Sequence, residues 1–295
     1  MPLKLMYVTN RPEVAHIAER AGVDLIFVDL EYIGKQARQG GMDTVQSHHT
    51  IEDVRRVRGA VSRAKVLVRV NPIHEAGYEN GVPYTSSEEE ISAAIRAGAD
   101  ALMLPYFKTA EEVRRFVRIV RGRAMTIPLL ETPEAAAAAD EILRIPGIDR
   151  IHIGLNDLSL GLHSGFMFGL FCDGTVDALA RKCNAYGMPF GIGGIAALGQ
   201  GMLPAEYIIG EHYRLGSSAT ILSRSFCNCA KVSYREAAKI FYTGIPAIRE
   251  LEAELEERMA AGDLAFFSSN HRKVEASVAL IQDRMRQKQA ELSVV

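Results

Sequence analysis

The chain has 295 residues, 48% of them hydrophobic and 24% charged, with a formal net charge of −2. That balance suits one large globular domain or two modest ones, and gives no electrostatic case for a nucleic-acid or anionic-membrane partner. No stretch is apolar for long enough to cross a bilayer, and the N-terminus turns charged too soon for a signal peptide. Cys172, Cys183, Cys227 and Cys229 form no disulfide framework, so a reduced, cytoplasmic setting is expected. Cys227-x-Cys229 is too close for the usual zinc knuckle and lacks a second pair, so no redox or metal role is expected of it.

In chain order, a helix-like stretch, a glycine, often an aspartate and a short apolar run recur. "LKLMYV" (3–8) opens as a strand. "ERAGVDLIFVDLE" (19–31) ends a helix at Gly22, where glycine supplies the left-handed C′ conformation, and starts a second strand. Tyr32–Val54 then holds a long, polar, glycine-containing loop before Thr50 and Asp53 cap the next helix; such length inside a compact domain is usually functional. "KVLVRV" (65–70), "ALMLPYF" (101–107), "MTIPLLE" (125–131), "RIHIGLN" (150–156), "MPFGIGG" (188–194) and "HYRLGSSATIL" (212–222) read as further strands. Amphipathic patterns separate them, as in "TAEEVRRFVRIVRG" (109–122), where Thr109 and Glu112 make a capping box. Eight strand–helix units predict an α/β fold, a closed (β/α)8 TIM barrel over residues 1–230, close to the usual ~250 residues. An open doubly wound sheet would carry a Gly-rich phosphate turn after its first strand, and "YVTNRPE" has none. Residues 231–295 read as three helices, "SYREAAKIFYTG", "PAIRELEAELEERMAAG" and "HRKVEASVALIQDRMRQKQAEL". They hold too few apolar positions for their own core, so a helical C-terminal extension is expected, packed on the barrel or serving a homo-oligomer.

Barrel enzymes carry their chemistry at the C-terminal strand ends and in the loops that follow. There the sequence puts Asp29 and Glu31, Arg69, Glu131, Asn156 and Asp157. Adjacent strands lie ~4.8 Å apart, so Glu131 and Asp157 cannot both stay ionised without compensating charge. A hard divalent cation supplies it; Mg²⁺ takes one or two carboxylates plus water and substrate oxygens, and the lack of histidine at both strand ends argues against zinc. The alternative is that "ETPE" and "NDLS" only cap the helices that follow. Arg69 offers a planar fork for a substrate carboxylate, or else a structural ion pair with Asp29 or Glu31. The backbone of "GLND" (Gly154–Asp157) opens a helix and could hold an anion. Together these groups describe a site for a small 2-keto acid. His152 reads as a core histidine and His74 as a weak substrate contact. "HSGFMFGLFCDGTVD" (163–177) reads as the wall of a second-substrate pocket or as subunit interface. Lys35, Arg38 and Arg224 are basic residues that could meet a phosphate or acid.

"DLE", "VRVNP", "AGADALMLPYFKTAEEV", "LLETPEA" and "IHIGLNDLSLGL", in that order over roughly residues 3–226, resemble the HpcH/HpaI aldolase and citrate lyase β-subunit family. Its members are metal-dependent carbon–carbon lyases on a phosphoenolpyruvate/pyruvate-type TIM barrel, and relatives exchange terminal helices between subunits. The resemblance implies Glu131 and Asp157 as ligands of a divalent ion, Mg²⁺ first and Mn²⁺ or Co²⁺ as options. It implies Arg69 as the clamp on a pyruvyl carboxylate and Asp29 as the acid orienting proton transfer; Gly154, Asn156 and Tyr32 are expected at the substrate beside them. One departure stands out: family aldolases read D-x-E-H after strand two, whereas "DLEY" puts Tyr32 at the histidine's place. A phenol of pKa near ~10 is a poor base at neutral pH, so His48 or His49 in the loop downstream is the candidate to take over, the alternative being that both are surface loop residues.

The expected activity is that of a class II pyruvate aldolase, making or breaking a 4-hydroxy-2-keto acid through a pyruvate enolate. Pyruvate or oxaloacetate and an aldehyde would be its partners. The alternatives are a citryl- or malyl-CoA-type lyase, an oxaloacetate-condensing enzyme, or a catalytically weakened barrel acting as a binding protein.

Overall fold

The computed structural model describes residues 2–35 and 49–292. Its strands are β1 (Lys4–Val8), β2 (Leu25–Asp29), β3 (Lys65–Arg69), β4 (Gly77–Glu79), β5 (Val82–Tyr84), β6 (Ala101–Leu104), β7 (Met125–Leu130), β8 (Ile151–Ile153), β9 (Phe190–Ile192), β10 (Gly194–Ile195) and β11 (Ala219–Leu222). All but the β4–β5 hairpin join one parallel sheet in the order β10-β11-β1-β2-β3-β6-β7-β8-β9. β9 and β10 are two halves of one crossing, parted by Gly193 at φ 39°. On one side β9 pairs with β8; on the other, Ser218 N–H reaches Phe190 O at 2.8 Å and Ile221 N–H reaches Gly193 O at 3.2 Å. The ring therefore closes, and the fold is a (β/α)8 TIM barrel.

Period-two alternation builds it. Met6, Phe27, Leu67, Ala101, Met103, Ile127, Leu129 and Ala219 fill the lumen, while Leu5, Ile26, Val28, Val66, Val68, Leu102 and Leu104 meet the helices. Both strand faces are covered, which is why the strands read as unbroken apolar runs. The aspartates of the recurring punctuation have a job as well. Asp24 accepts Leu5 N–H at 3.0 Å, Asp100 accepts Val66 N–H at 2.8 Å, and Asp149 accepts Thr126 N–H at 2.7 Å. Each ties the start of its own strand to the neighbour and satisfies an amide at the barrel's N-terminal rim.

The helices are α1 (Pro12–Ala21), α2 (Ile51–Ala60), α3 (Ser87–Arg96), α4 (Ala110–Val120), α5 (Pro133–Ala137), α6 (Ala139–Ile142), α7 (Leu155–Gly161), α8 (Thr175–Ala185), α9 (Ala205–Leu215), α10 (Tyr234–Ala260) and α11 (Leu264–Leu292). Reciprocal capping boxes start α2 at Thr50, α4 at Thr109 and α10 at Ser233.

Three boundaries differ from the sequence reading. "HYRLGSSATIL" is the end of α9 followed by β11, since Gly216 takes the left-handed helix cap at φ 78°. β8 stops at Ile153, so Asp157 lies in the first turn of α7 and not at a strand end. α10 runs unbroken through Pro246, so the extension has two helices where three were expected. Proline inside a helix costs about 3 kcal/mol, but Phe241, Ile245 and Ile248 bury one continuous stripe of α10, and that burial outweighs it. α10 packs on α1 and α11 packs on α9. The β4–β5 hairpin within "AGYENGVPY" was not foreseen.

Candidate active site

Glu131 follows β7 and Asp157 opens α7. Both side chains are buried, as are Asp29 at the end of β2 and Glu31 just past it. Tyr106, held at φ 47°, donates its N–H to Glu131 Oε1 at 2.9 Å. On the other side a side chain at Gly154 would meet Glu131 Oε2 at 2.9 Å and its Cβ at 2.8 Å, so the glycine makes room for the acid. Burial, with Glu31 and Asp157 close by, pushes the Glu131 carboxyl well above the usual range; Arg69 offsets this only in part. Tyr106, Lys108, Glu131, Thr132, Asp157 and Leu160 line a groove of about 300 Å³.

Arg69 ends β3 and grips Asp29 with two bonds, Nε to Oδ1 at 2.8 Å and Nη2 to Oδ2 at 2.7 Å. Its Nε also lies 3.3 Å from Glu31. Lys35, read from sequence as a basic residue that could meet a phosphate or acid, is buried within the chain's own acids, 2.8 Å from Asp29 and 3.4 Å from Glu31. Burial alone would raise the Asp29 carboxyl, but the two cations hold it well below the normal range. Arg69 Nη1 makes no hydrogen bond among the described residues. With Asp29, His49, Asn156, Arg11 and Arg224 it lines a cavity of about 560 Å³. Asn156 and Asp157, adjacent in the chain, face the cavity and the groove respectively, so the two spaces are neighbours.

Several expectations change. His49 stands beside Asp29, whose N–H donates to His49 Nδ1 at 3.0 Å. A backbone N–H can only donate, so the ring proton sits on Nε2, and burial keeps the imidazole neutral by lowering its pKa. That tautomer is a donor toward the cavity, which corrects the reading of His49 as general base. His48 and Arg38 lie outside the described residues. Gly154 does not offer an amide to substrate: its N–H is bound to Leu130 O at 3.0 Å, and α7 has only seven residues. Tyr32 turns its ring edge-on to Tyr84 at 6.5 Å, and Tyr84 in turn meets His74 at 5.3 Å, so Tyr32 braces the β4–β5 hairpin and lines neither space. Both ring nitrogens of His74 lie within hydrogen-bonding distance of backbone carbonyls, Pro72 O at 2.6 Å and Thr85 O at 2.9 Å, fixing a loop. Phe166, Phe168 and Phe171 are buried within the chain, where their short 3₁₀ segment packs on α11 and α7. His152 is a buried barrel residue whose Nε2 lies 3.2 Å from Gly193 O.

Asn71 was overlooked, although it sits inside the "VRVNP" motif. Its Oδ1 accepts the N–H groups of Tyr32 and Ile33, both at 2.9 Å, and its Nδ2 donates to Glu90 at 2.7 Å. An asparagine two residues past a strand-end arginine and directly before a proline was the available signal: a short amide can bind the backbone of the next loop.

Acids and an arginine at the C-terminal mouth of a closed barrel define the class, a TIM-barrel enzyme with its chemistry at the strand ends. Residues 4–165, more than half of the chain, match the HpcH/HpaI aldolase/citrate lyase model, and the protein belongs to that family. It is a lyase. Over 227 residues it is 24% identical to 4-hydroxy-4-methyl-2-oxoglutarate aldolase tasA of Hapsidospora irregularis, covering 65% of this chain and 74% of that one. A HpcH/HpaI aldolase/citrate lyase family protein of Burkholderia cenocepacia shares the fold with a TM-score of 0.59 at 16% identity, over 81% of this chain and 93% of the other. A variant of the citrate synthase SbnG does so at 0.51 and 18%, over 88% and 96%.

Among the described residues, no three His, Cys, Asp or Glu side chains form a ready metal cage. The donor set nonetheless suits a hard divalent ion with open valences. Glu131 is a desolvated acid facing the further negative charge of Glu31 and Asp157, which Arg69 offsets only in part, while Arg69 and Lys35 pair with Asp29 and Glu31.

Proposed function

We propose that the protein is a divalent-metal-dependent aldolase that makes or breaks the C3–C4 bond of a 4-hydroxy-2-keto acid by way of a pyruvate enolate. The observation that carries this is Glu131: a buried carboxyl, crowded by Glu31 and Asp157 and opening on a groove, gains most from a bound cation. Glu131 and Asp157 would hold the ion, which supplies Lewis acidity toward a keto oxygen when bound. The relative named for 4-hydroxy-4-methyl-2-oxoglutarate, itself a 4-hydroxy-2-keto acid, supports the substrate class.

The chain's own residues do the positioning. Asp29 and Glu31 lock Arg69 in one orientation, leaving Nη1 to take the keto acid's carboxylate, so little rotational freedom remains to be lost on binding. His49 presents Nε2–H into the same cavity and holds an oxygen of the second reactant by a hydrogen bond. Mg²⁺ is the ion we assign, on the all-carboxylate donor set.

Exchange of the C3 protons of pyruvate into deuterated water, followed by proton NMR, tests the mechanism. Exchange is expected with Mg²⁺ and the wild-type chain, and loss of it in Asp157→Ala or after chelation. Enolisation that continues undiminished in a chelator sinks the metal reading.

A further inference from the structure

Cys227 and Cys229 follow β11 in the wall of the same 560 Å³ cavity that holds Arg69 and His49. Their sulfurs lie 3.4 Å apart, and both residues are buried from bulk solvent, at 3% and 8% exposure. Cys227 also borders a second opening of about 700 Å³, beside Arg224 and Asn228, so the turn between the two thiols is a thin partition. The segment is pinned from the barrel. Tyr7 Oη lies 2.9 Å from Cys227 O and 3.1 Å from Cys229 Sγ, and Arg11 Nη1 donates to Cys229 O at 2.6 Å.

We propose that Cys227 and Cys229 are a peroxide-oxidisable dithiol, a modification site in the cavity wall that closes to a disulfide. Cys229 is the attacking sulfur. It lies 3.4 Å from the Cys227 sulfur and 3.1 Å from Tyr7 Oη, either of which can donate to a thiolate there, and the Arg11 guanidinium lies close; its pKa falls to about 7. Cys227 is the resolving thiol, kept protonated by its hydrogen bond with the Cys229 sulfur and by burial.

The chemistry balances with a hydroperoxide as the oxidant. The Cys229 thiolate attacks the distal peroxide oxygen; the O–O bond breaks, a sulfenic acid forms, and the alkoxide or hydroxide leaves and takes a proton. Cys227 then attacks the Cys229 sulfur. The S–O bond breaks, water leaves with the Cys227 proton, and two thiols have been oxidised by one peroxide. The sulfurs must close from 3.4 Å to the ~2.05 Å of a disulfide, a movement of side-chain rotation over a two-residue step. Cys172 and Cys183 are free cysteines elsewhere in the chain, so they serve as internal controls.

The test is whole-protein mass spectrometry of the reduced full-length chain before and after stoichiometric hydrogen peroxide. A loss of ~2 Da, mapped to the peptide holding Cys227 and Cys229 and reversed by dithiothreitol, is expected. Cys227→Ser should stop at a sulfenic acid trapped by dimedone, and Cys229→Ser should take up no oxidant at residue 227. Since the wild-type measurement needs no variant, a misfolded substitution leaves the result readable. Unchanged mass, irreversible oxygen addition, or a disulfide through Cys172 or Cys183 overturns the proposal. None of this depends on the aldolase reading.

Discussion

Glu131 is placed by three separate chain segments: β7 carries it, the left-handed Tyr106 binds one carboxylate oxygen, and Gly154 leaves space beside the other. A residue so confined tolerates no extra atom. Gly154→Ala would put a Cβ 2.8 Å from the Glu131 Cβ, closer than real carbon contacts allow, and β8 cannot retreat because it is paired on both sides. Displacing a site carboxylate by well under 1 Å is expected to cut pyruvate proton exchange roughly 10-fold or more. Thermal melting run beside the assay checks that the barrel survives; unchanged exchange would show that the position of Glu131 is immaterial. Asn71 acts the same way at one remove, holding the Tyr32–Ile33 backbone so that Asp29 and Glu31 stay under Arg69.

At the level of elements, the α9–α11 contact turns on a missing side chain. Gly210 lets Asn270 approach so closely that an added Cβ would sit 2.5 Å from its Nδ2. Asn270 then donates to Tyr207 O at 3.0 Å and to Glu211 at 3.1 Å, and Glu211 also pairs with Arg214 and His271. Alanine in place of a helical glycine normally gains up to ~1 kcal/mol, and overpacking costs about 1–3 kcal/mol. Overpacking should win at this site. Gly210→Ala is predicted to destabilise the fold by about 1 kcal/mol in urea titration, whereas Gly59→Ala on exposed α2, with nothing within 4 Å, should stabilise it. Equal effects at both positions would mean that α11 does not depend on this contact. Pro246 makes a related point: an element boundary that local chemistry suggests disappears when one stripe of the helix is buried along its whole length.

For the molecule as a whole, two neutral histidines sit deep in the barrel wall. Burial lowers His152 to about 4 and His212 to about 3, each well under the ordinary histidine value. His212 is held by Ser217 Oγ at 2.8 Å and His152 by Gly193 O at 3.2 Å, partners that suit uncharged rings. In the unfolded chain both take a proton near pH 6.5, so the unfolded state binds more protons as pH falls. Stability is thus complete above pH 6.5 and declines as pH drops toward 4. The slope is about 1.4 kcal/mol per pH unit for each histidine. Denaturant midpoints between pH 7 and pH 4.5 measure it, and His212→Gln should flatten the profile by half; a flat wild-type profile would contradict the burial assigned to these rings.

The barrel was legible because its cause is local and repeated. Parallel strands covered on both faces need unbroken apolar runs, and each return needs a glycine to end the helix and an aspartate to satisfy the next rim, so the pattern occurs in the chain itself. Asp29, Glu31, Glu131 and Arg69 could be named for the same reason, since strand ends are countable, whereas Asp157 was named on a strand end that the structure puts four residues earlier. Their partners were not. That Asp29 takes both Arg69 and Lys35, that the Asp29 amide fixes the tautomer of His49, that Tyr32 turns away to Tyr84 and that the Gly154 amide is already bound all follow from closing the ring. Closure brings together residues tens of positions apart, and periodicity carries no record of those distances. Cys227 and Cys229 show the limit most plainly: two thiols without a motif in the sequence become a pair with a cavity beside them once β11 returns next to β1.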